Sequence, residues 1–228
     1  MNHFKFEESL IHHIILKMIN FNNYGLLNGK IGIAIAFFNY GKYSKNKVLT
    51  ELADELIDGI LTKINKKIGI GLDNGFSGIG WGIEYLIQKN FVEADSNKAC
   101  KDIDEIIMET DVRRMYDLSL KTGIEGVMHY VLARIKGALM QNNDIPFDEL
   151  YLNDIQKTLL KINKTSTAPS LFSLIEKFDE FINKGVCNYE LYIESLIEYI
   201  DIKENDIINA KLGLNEGLAG KLLHIAIH

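Results

Sequence analysis

The sequence predicts an all-α protein, an α/α toroid of about five helical hairpins forming one domain over residues 1–228. Three observations point that way. Only 2 prolines interrupt 228 residues, and a proline costs about 3 kcal/mol inside a helix, so long helices are allowed almost everywhere. A Gly-x-x-Gly motif recurs at a near-constant interval, and apolar residues at helical spacing fill the stretches between its copies.

The motif copies are Asn28-Gly29-Lys30-Ile31-Gly32-Ile33, Asn74-Gly75-Phe76-Ser77-Gly78-Ile79, Thr122-Gly123-Ile124-Glu125-Gly126-Val127 and Glu216-Gly217-Leu218-Ala219-Gly220. Their first glycines lie 46, 48 and 94 residues apart, the last interval being two periods. A fifth copy is expected near residue 170, where Ser170-Leu171-Phe172-Ser173-Leu174 carries serines in place of both glycines, followed by Ile175, Phe178 and Ile182. Each motif opens an apolar helix, and a more amphipathic helix precedes it. The latter are read at Leu10, Ile11, Ile14, Ile15 and Met18, and at Leu49, Leu52, Ala53, Leu56, Ile57, Ile60, Leu61 and Ile64. Weaker stripes run through Ile103, Ile106 and Ile107, through Phe147, Leu150, Ile155 and Leu159, and through Ile193, Leu196, Ile197 and Ile200. Ten helices in five hairpins follow. The runs Ile33 to Phe38, Ile79 to Ile87 and Leu222 to Ile227 are apolar around most of the helix, so they are expected to be buried inside an outer layer. The glycines suit close backbone approach at helix starts, or a turn of positive φ. Five periods of this length need about 235 residues and seven about 329, so an incomplete or open ring is an alternative to a closed one.

Composition narrows the function. A net charge of -6, with 25 Lys+Arg against 31 Asp+Glu, argues against nucleic acid as a partner. The longest apolar stretch, Ile31 to Phe38, is far short of the roughly 18 residues of a membrane span. Cys100 and Cys187 are isolated and read as free thiols of a reducing cytosol. Residues 1–18 lack the basic start and apolar run of a signal peptide, so a cytoplasmic location is expected.

Repeated Gly-x-x-Gly at helix starts, the string Gly25-Leu26-Leu27-Asn28-Gly29-Lys30-Ile31-Gly32-Ile33-Ala34 and Tyr116-Asp117-Leu118 together resemble the lanthionine synthetase C-like (LanC-like) family. The segment from Gly75 to Asp95 is similar to a variant of that family found beside peptide-modification genes, and Leu214 to Gly220 resembles its closing repeat. The resemblance implies an α/α toroid, normally of seven inner and seven outer helices. It also implies a role in modifying ribosomally made peptides, where zinc activates a cysteine thiol for addition to a dehydrated Ser or Thr. The family's zinc ligands lie in Trp-Cys-x-Gly and Cys-His-Gly motifs, and neither string occurs in this sequence. Thr167, Ala168 and Pro169 stand where its catalytic histidine belongs. No metal site and no cofactor are therefore expected, and the chain reads as a shortened, degenerate cyclase homologue whose partner is a precursor peptide or a peptide-modifying enzyme.

Asp117, matching an aspartate that follows a tyrosine ahead of the third motif, is the catalytic candidate the resemblance implies. Substrate-binding candidates flank the motif helices, namely Asn28, Lys30, Asp73, Asn74 and Glu216, since helix N-termini favour acidic or polar ligands. His129, three residues after Gly126, joins them. His12 and His13 are adjacent and cannot share one helix face, and His3 and His228 are terminal. Two further readings stand beside this one. A metal-free carbohydrate-active toroid would draw a carboxylate pair from Asp73, Glu84, Asp117 and Glu125. A structural module would bind a partner, or a second copy as a homodimer, through the inner helices that an open arc leaves exposed.

Overall fold

The computed structural model describes residues 2–63, 68–162 and 168–228. The secondary structure among them is helical, with one isolated bridge between Lys211 and Gly217 and no strand. The helices are α1 (Asn2–Met18), α2 (Lys30–Ser44), α3 (Lys47–Leu61), α4 (Phe76–Gln88), α5 (Ser96–Met108), α6 (Ile124–Met140), α7 (Glu149–Leu159), α8 (Pro169–Lys184) and α9 (Leu218–Ile227). The chain divides into two compact units. The first comprises residues 1–68 and 192–228, and the second residues 69–191.

All four intact motifs open a helix with their first glycine at the N-cap, and the degraded copy still forms one, with Pro169 in its first turn where no backbone donor is needed. The amphipathic stripes become α1, α3, α5 and α7. Ile64 and Thr167 lie outside the described residues. The stripe through Ile193 and Ile200 is a correction: it yields only a 3-10 turn at Ile193–Leu196, then extended chain. The loop before α9 competes for its backbone. The N–H of Glu198 donates to the Asn215 side chain at 2.9 Å and its carbonyl accepts from Glu216 N–H at 2.8 Å, so these groups cannot serve a helix ladder.

The motif helices share one N-terminal construction. The N–H following each first glycine, on Lys30, Phe76, Ile124 and Leu218, donates to a carbonyl seven residues earlier, on Asn23, Gly69, Asp117 and Lys211, at 2.9 Å in every case. The next N–H repeats the pattern from Ile31, Ser77 and Ala219 to Tyr24, Ile70 and Leu212. The loop thus doubles back over the helix end and caps it with backbone. A Cβ on Gly29, Gly75, Gly123 or Gly217 would run into that loop. Their φ values of -139°, -117°, -102° and -137° are all negative. Close approach, and not positive φ, is what these positions require.

Two motif helices join within each unit, and the joints match. In the second unit Asp73 N–H donates to Lys121 carbonyl at 3.0 Å, and Gly126 abuts Leu72. In the first unit Asn215 N–H donates to Leu27 carbonyl at 2.9 Å, and Gly32 abuts Leu214. Residues at the same motif positions make both sets of contacts. α9 therefore meets α2, the last motif helix against the first, as α4 meets α6. The faces that an open arc would expose on those two helices cover one another.

Burial follows the apolar runs. Every residue of α4 from Phe76 to Ile87 is buried, as are Ile31 to Phe38 of α2. The run at Leu222 to Ile227 behaves differently: Leu222 and Leu223 are buried, but His224 to Ile227 are only partly so, and His224 and Ile225 line a groove described below.

Candidate functional site

The residues flanking the motif helices lie in or beside the capping loops. Asp117 is exposed. Its Oδ1 accepts from Ser119 N–H at 2.8 Å, its Oδ2 accepts from the Thr122 hydroxyl at 2.6 Å, and its carbonyl caps Ile124. The Thr122 bond and then those from Ser119 hold its carboxyl below the usual carboxylate range, which makes it a weak base. Asp73 accepts from the Asn74 amide at 3.2 Å, and Asn74 itself is exposed. In the first unit Lys30 is half-buried, and burial followed by the charge of Lys63 lowers its pKa. Glu216 sits at φ 52° and pairs with Lys211 at 2.6 Å. The structure brings Asn28 to the loop before α9, beside Gly213, and places Asp73, Asn74 and Asp117 in the two joined loops of the second unit. The first N–H groups of the motif helices already have loop carbonyls as partners, so at these positions the helix ends present satisfied donors.

His129 lies deeper, six residues past Gly123, and Trp81 stands at the same distance past Gly75. Both reach Tyr189. The Trp81 indole N–H donates to the Tyr189 hydroxyl at 2.8 Å, and that hydroxyl lies 2.8 Å from His129 Nδ1. The tyrosine oxygen accepts the indole proton and shares a hydrogen bond with Nδ1, whose direction is set by the imidazole tautomer. Burial, then the nearby Lys177, brings the His129 pKa down to about 4, so the ring is neutral at physiological pH. Lys177 Nζ lies 6.0 Å from the Tyr189 ring. The sequence reading included His129 but missed Tyr189. The signal available was the shared register of Trp81 and His129.

A second polar cluster fills the far end of the α4–α6 joint. Arg134 is fully buried, and its guanidinium bridges Glu84 at 2.5 Å and Asp104 at 2.7 Å, with Nε also on Asp104 at 3.0 Å. Tyr130 donates to Asp104 at 2.5 Å, Ser96 donates to Glu84, and Gln88 donates to Glu84 at 2.7 Å. Gly137 leaves room for the Glu84 carboxylate. Burial raises the Asp104 pKa, against the pull of Arg134 and Tyr130. An arginine inside the run Val131-Leu132-Ala133-Arg134-Ile135 was the sequence signal. With Glu84 sealed inside this cluster and Glu125 buried, neither carboxylate is presented to a sugar.

The cysteines do not fit a zinc centre. Cys100 is fully buried on α5 beside Arg134, Glu84 and Asp104, and burial pushes its thiol far above its usual pKa. Cys187 is buried too, its Sγ 3.6 Å from the Leu132 carbonyl, and burial again raises its pKa. A zinc ligand must be a thiolate. Among the described residues, no three His, Cys, Asp or Glu side chains gather as a metal site, and no helix is long and apolar enough to cross a membrane.

Residues 20–228 match the family model of the lanthionine synthetase C-like protein. Comparison with curated proteins and with solved structures gives no match.

Proposed function

The chain belongs to the lanthionine synthetase C-like family, and on that premise we propose that it binds a ribosomally made precursor peptide without performing zinc-dependent cyclisation. The observation that carries this reading is the state of the two cysteines. Both thiols are enclosed in packed side chains, both pKa values are raised by burial, and Cys187 is held on a backbone carbonyl. The chemistry of cyclisation needs a thiolate on an accessible metal, whereas these positions favour neutral, sequestered thiols. The loops at the motif helices support the binding part of the reading. Asn28, Lys30, Asp73, Asn74, Asp117 and Glu216 border them, and His129, hydrogen-bonded to Tyr189, adds a neutral imidazole.

The purified protein, supplied with zinc, should bind a dehydrated precursor peptide at micromolar concentration in a fluorescence anisotropy titration. It should form no thioether, as followed by mass spectrometry after blocking of free thiols. Accumulation of ring-closed peptide would overturn the non-catalytic reading, and absence of any peptide binding would overturn the binding reading.

A further inference from the structure

The far end of the α9–α2 joint holds a groove where the α4–α6 joint holds the Arg134 cluster. This groove, of about 1070 Å³, is lined by Glu7 and Glu8 of α1, Tyr40 and Tyr43 of α2, His224 of α9 and His228 just beyond it, among others. The registers of the two joints explain why one is filled and the other is not. Tyr40 stands eleven residues past Gly29, where Arg134 stands eleven past Gly123. Tyr43 takes the place of Gly137, and Ala226 that of Glu84. The first unit therefore lacks the internal guanidinium but keeps the outer-helix carboxylate. The Tyr40 hydroxyl donates to Glu7 at 2.7 Å, much as the Tyr130 hydroxyl donates to Asp104 in the other unit.

The lining favours a cation rich in N–H donors. Lys221 at the wall is occupied by Asp201 at 3.0 Å, and His228 by Glu194 at 2.8 Å. His224 lines the same groove, with its Nδ1 buried and without a hydrogen-bond partner among the described residues. Tyrosine faces attract a planar guanidinium, and a carboxylate meets its fork with two parallel bonds.

We propose that this groove receives an arginine side chain of a bound peptide, seated between α9, α1 and α2 as Arg134 is seated between α4, α5 and α6. The proposal rests on the peptide-binding reading above and names the side chain recognised.

The probe is the pentapeptide Gly-Gly-Arg-Gly-Gly, blocked at both ends, against its neutral citrulline counterpart, titrated calorimetrically at low salt. The arginine peptide should bind at least tenfold more tightly. Glu8→Gln, at an exposed position, should weaken it at least threefold, and so should Tyr43→Ala, with helicity checked by circular dichroism. The imidazole resonances of His224 should shift on binding while those of His129 stay fixed. Equal binding of the two pentapeptides, no binding of the arginine form, or a titration that leaves His224 unmoved would each overturn the proposal. A precursor peptide that binds wild type and Glu8→Gln equally also overturns the groove but leaves the peptide reading standing. One that binds neither protein removes the peptide reading itself.

Discussion

The α4–α6 and α9–α2 joints agree at one end and part company at the other. At the loop end, Asp73 and Asn215 make the same backbone bond to the neighbouring loop, and Gly126 and Gly32 each admit a leucine at the same motif position. At the far end a buried arginine with two carboxylates faces, in the sister joint, an open groove where a tyrosine hydroxyl meets a glutamate. Backbone geometry therefore repeats wherever the glycines repeat, because an added Cβ would strike main chain that cannot move aside. Side-chain chemistry is free to diverge once the helices have left the loops.

The widest gap between the joints should appear on removing their central polar groups. Arg134→Met leaves Glu84 and Asp104 buried without their cation, a loss of about 3–5 kcal/mol. Tyr40→Phe removes only one half-buried hydrogen bond, about 1 kcal/mol. Urea unfolding followed by circular dichroism gives both values. Similar losses for the two variants would mean that the Arg134 cluster contributes no more than an ordinary hydrogen bond.

The glycine end should behave oppositely, with equal penalties. In Gly32→Ala the new methyl meets Leu26 carbonyl and Leu214, and in Gly126→Ala it meets Leu120 carbonyl and Leu72. Overpacking against backbone costs about 1–3 kcal/mol. Both variants should lose roughly that amount, in step with each other. A large difference between them in the same urea measurement would break the equivalence of the joints.

Much of this was readable beforehand, and the exceptions have identifiable causes. The motif helices followed from Gly-x-x-Gly and an apolar run, because both a cap and a buried face were specified locally. Even α8 was legible after both glycines had become serines, since Leu171, Leu174, Ile175 and Phe178 keep the stripe. The segment at Ile193 misled because its periodicity was right but the backbone N–H and carbonyl of Glu198 were claimed by Asn215 and Glu216, far along the chain. Which loops meet is also a long-range fact: no local pattern says that Leu27 accepts from Asn215. Asp117 was found as a chemically notable residue, while its two hydrogen bonds to Ser119 and Thr122 made it a loop closer. The Tyr189 partner of His129 came from a loop with no periodicity to flag it.

A smaller effect separates the joints by pH. His129 has a counterpart in Ile35 of the first unit, six residues past Gly29, so only the second unit carries a titrating ring at that register. Its pKa is about 4 when folded, against the ordinary 6.5. Between those values the unfolded chain binds a proton that the folded one refuses. Stability from this group is therefore complete above about pH 6.5 and falls as pH drops toward 4. With allowance for the ring's partial exposure, the loss from pH 7 to pH 5 is about 1–2 kcal/mol. In His129→Gln that part of the slope should disappear. An unchanged slope would place the acid sensitivity elsewhere.

The smallest expected effect has the opposite sign, and it tests the premise behind the glycine comparison. Gly59 lies in the last turns of α3, and an added Cβ there would meet nothing within 4 Å. With no loop to strike, only helix propensity and the entropy of the unfolded chain remain, and both favour alanine, by about 0.5–1 kcal/mol. Gly59→Ala should raise the melting temperature by a few degrees while Gly32→Ala and Gly126→Ala lower it. If all three fell together, the penalty at the joints could not be assigned to the close loop backbone, since Gly59 lacks that contact. A rise at Gly59 alone isolates the contact itself, because the three substitutions are chemically identical and differ only in what stands opposite the new methyl group.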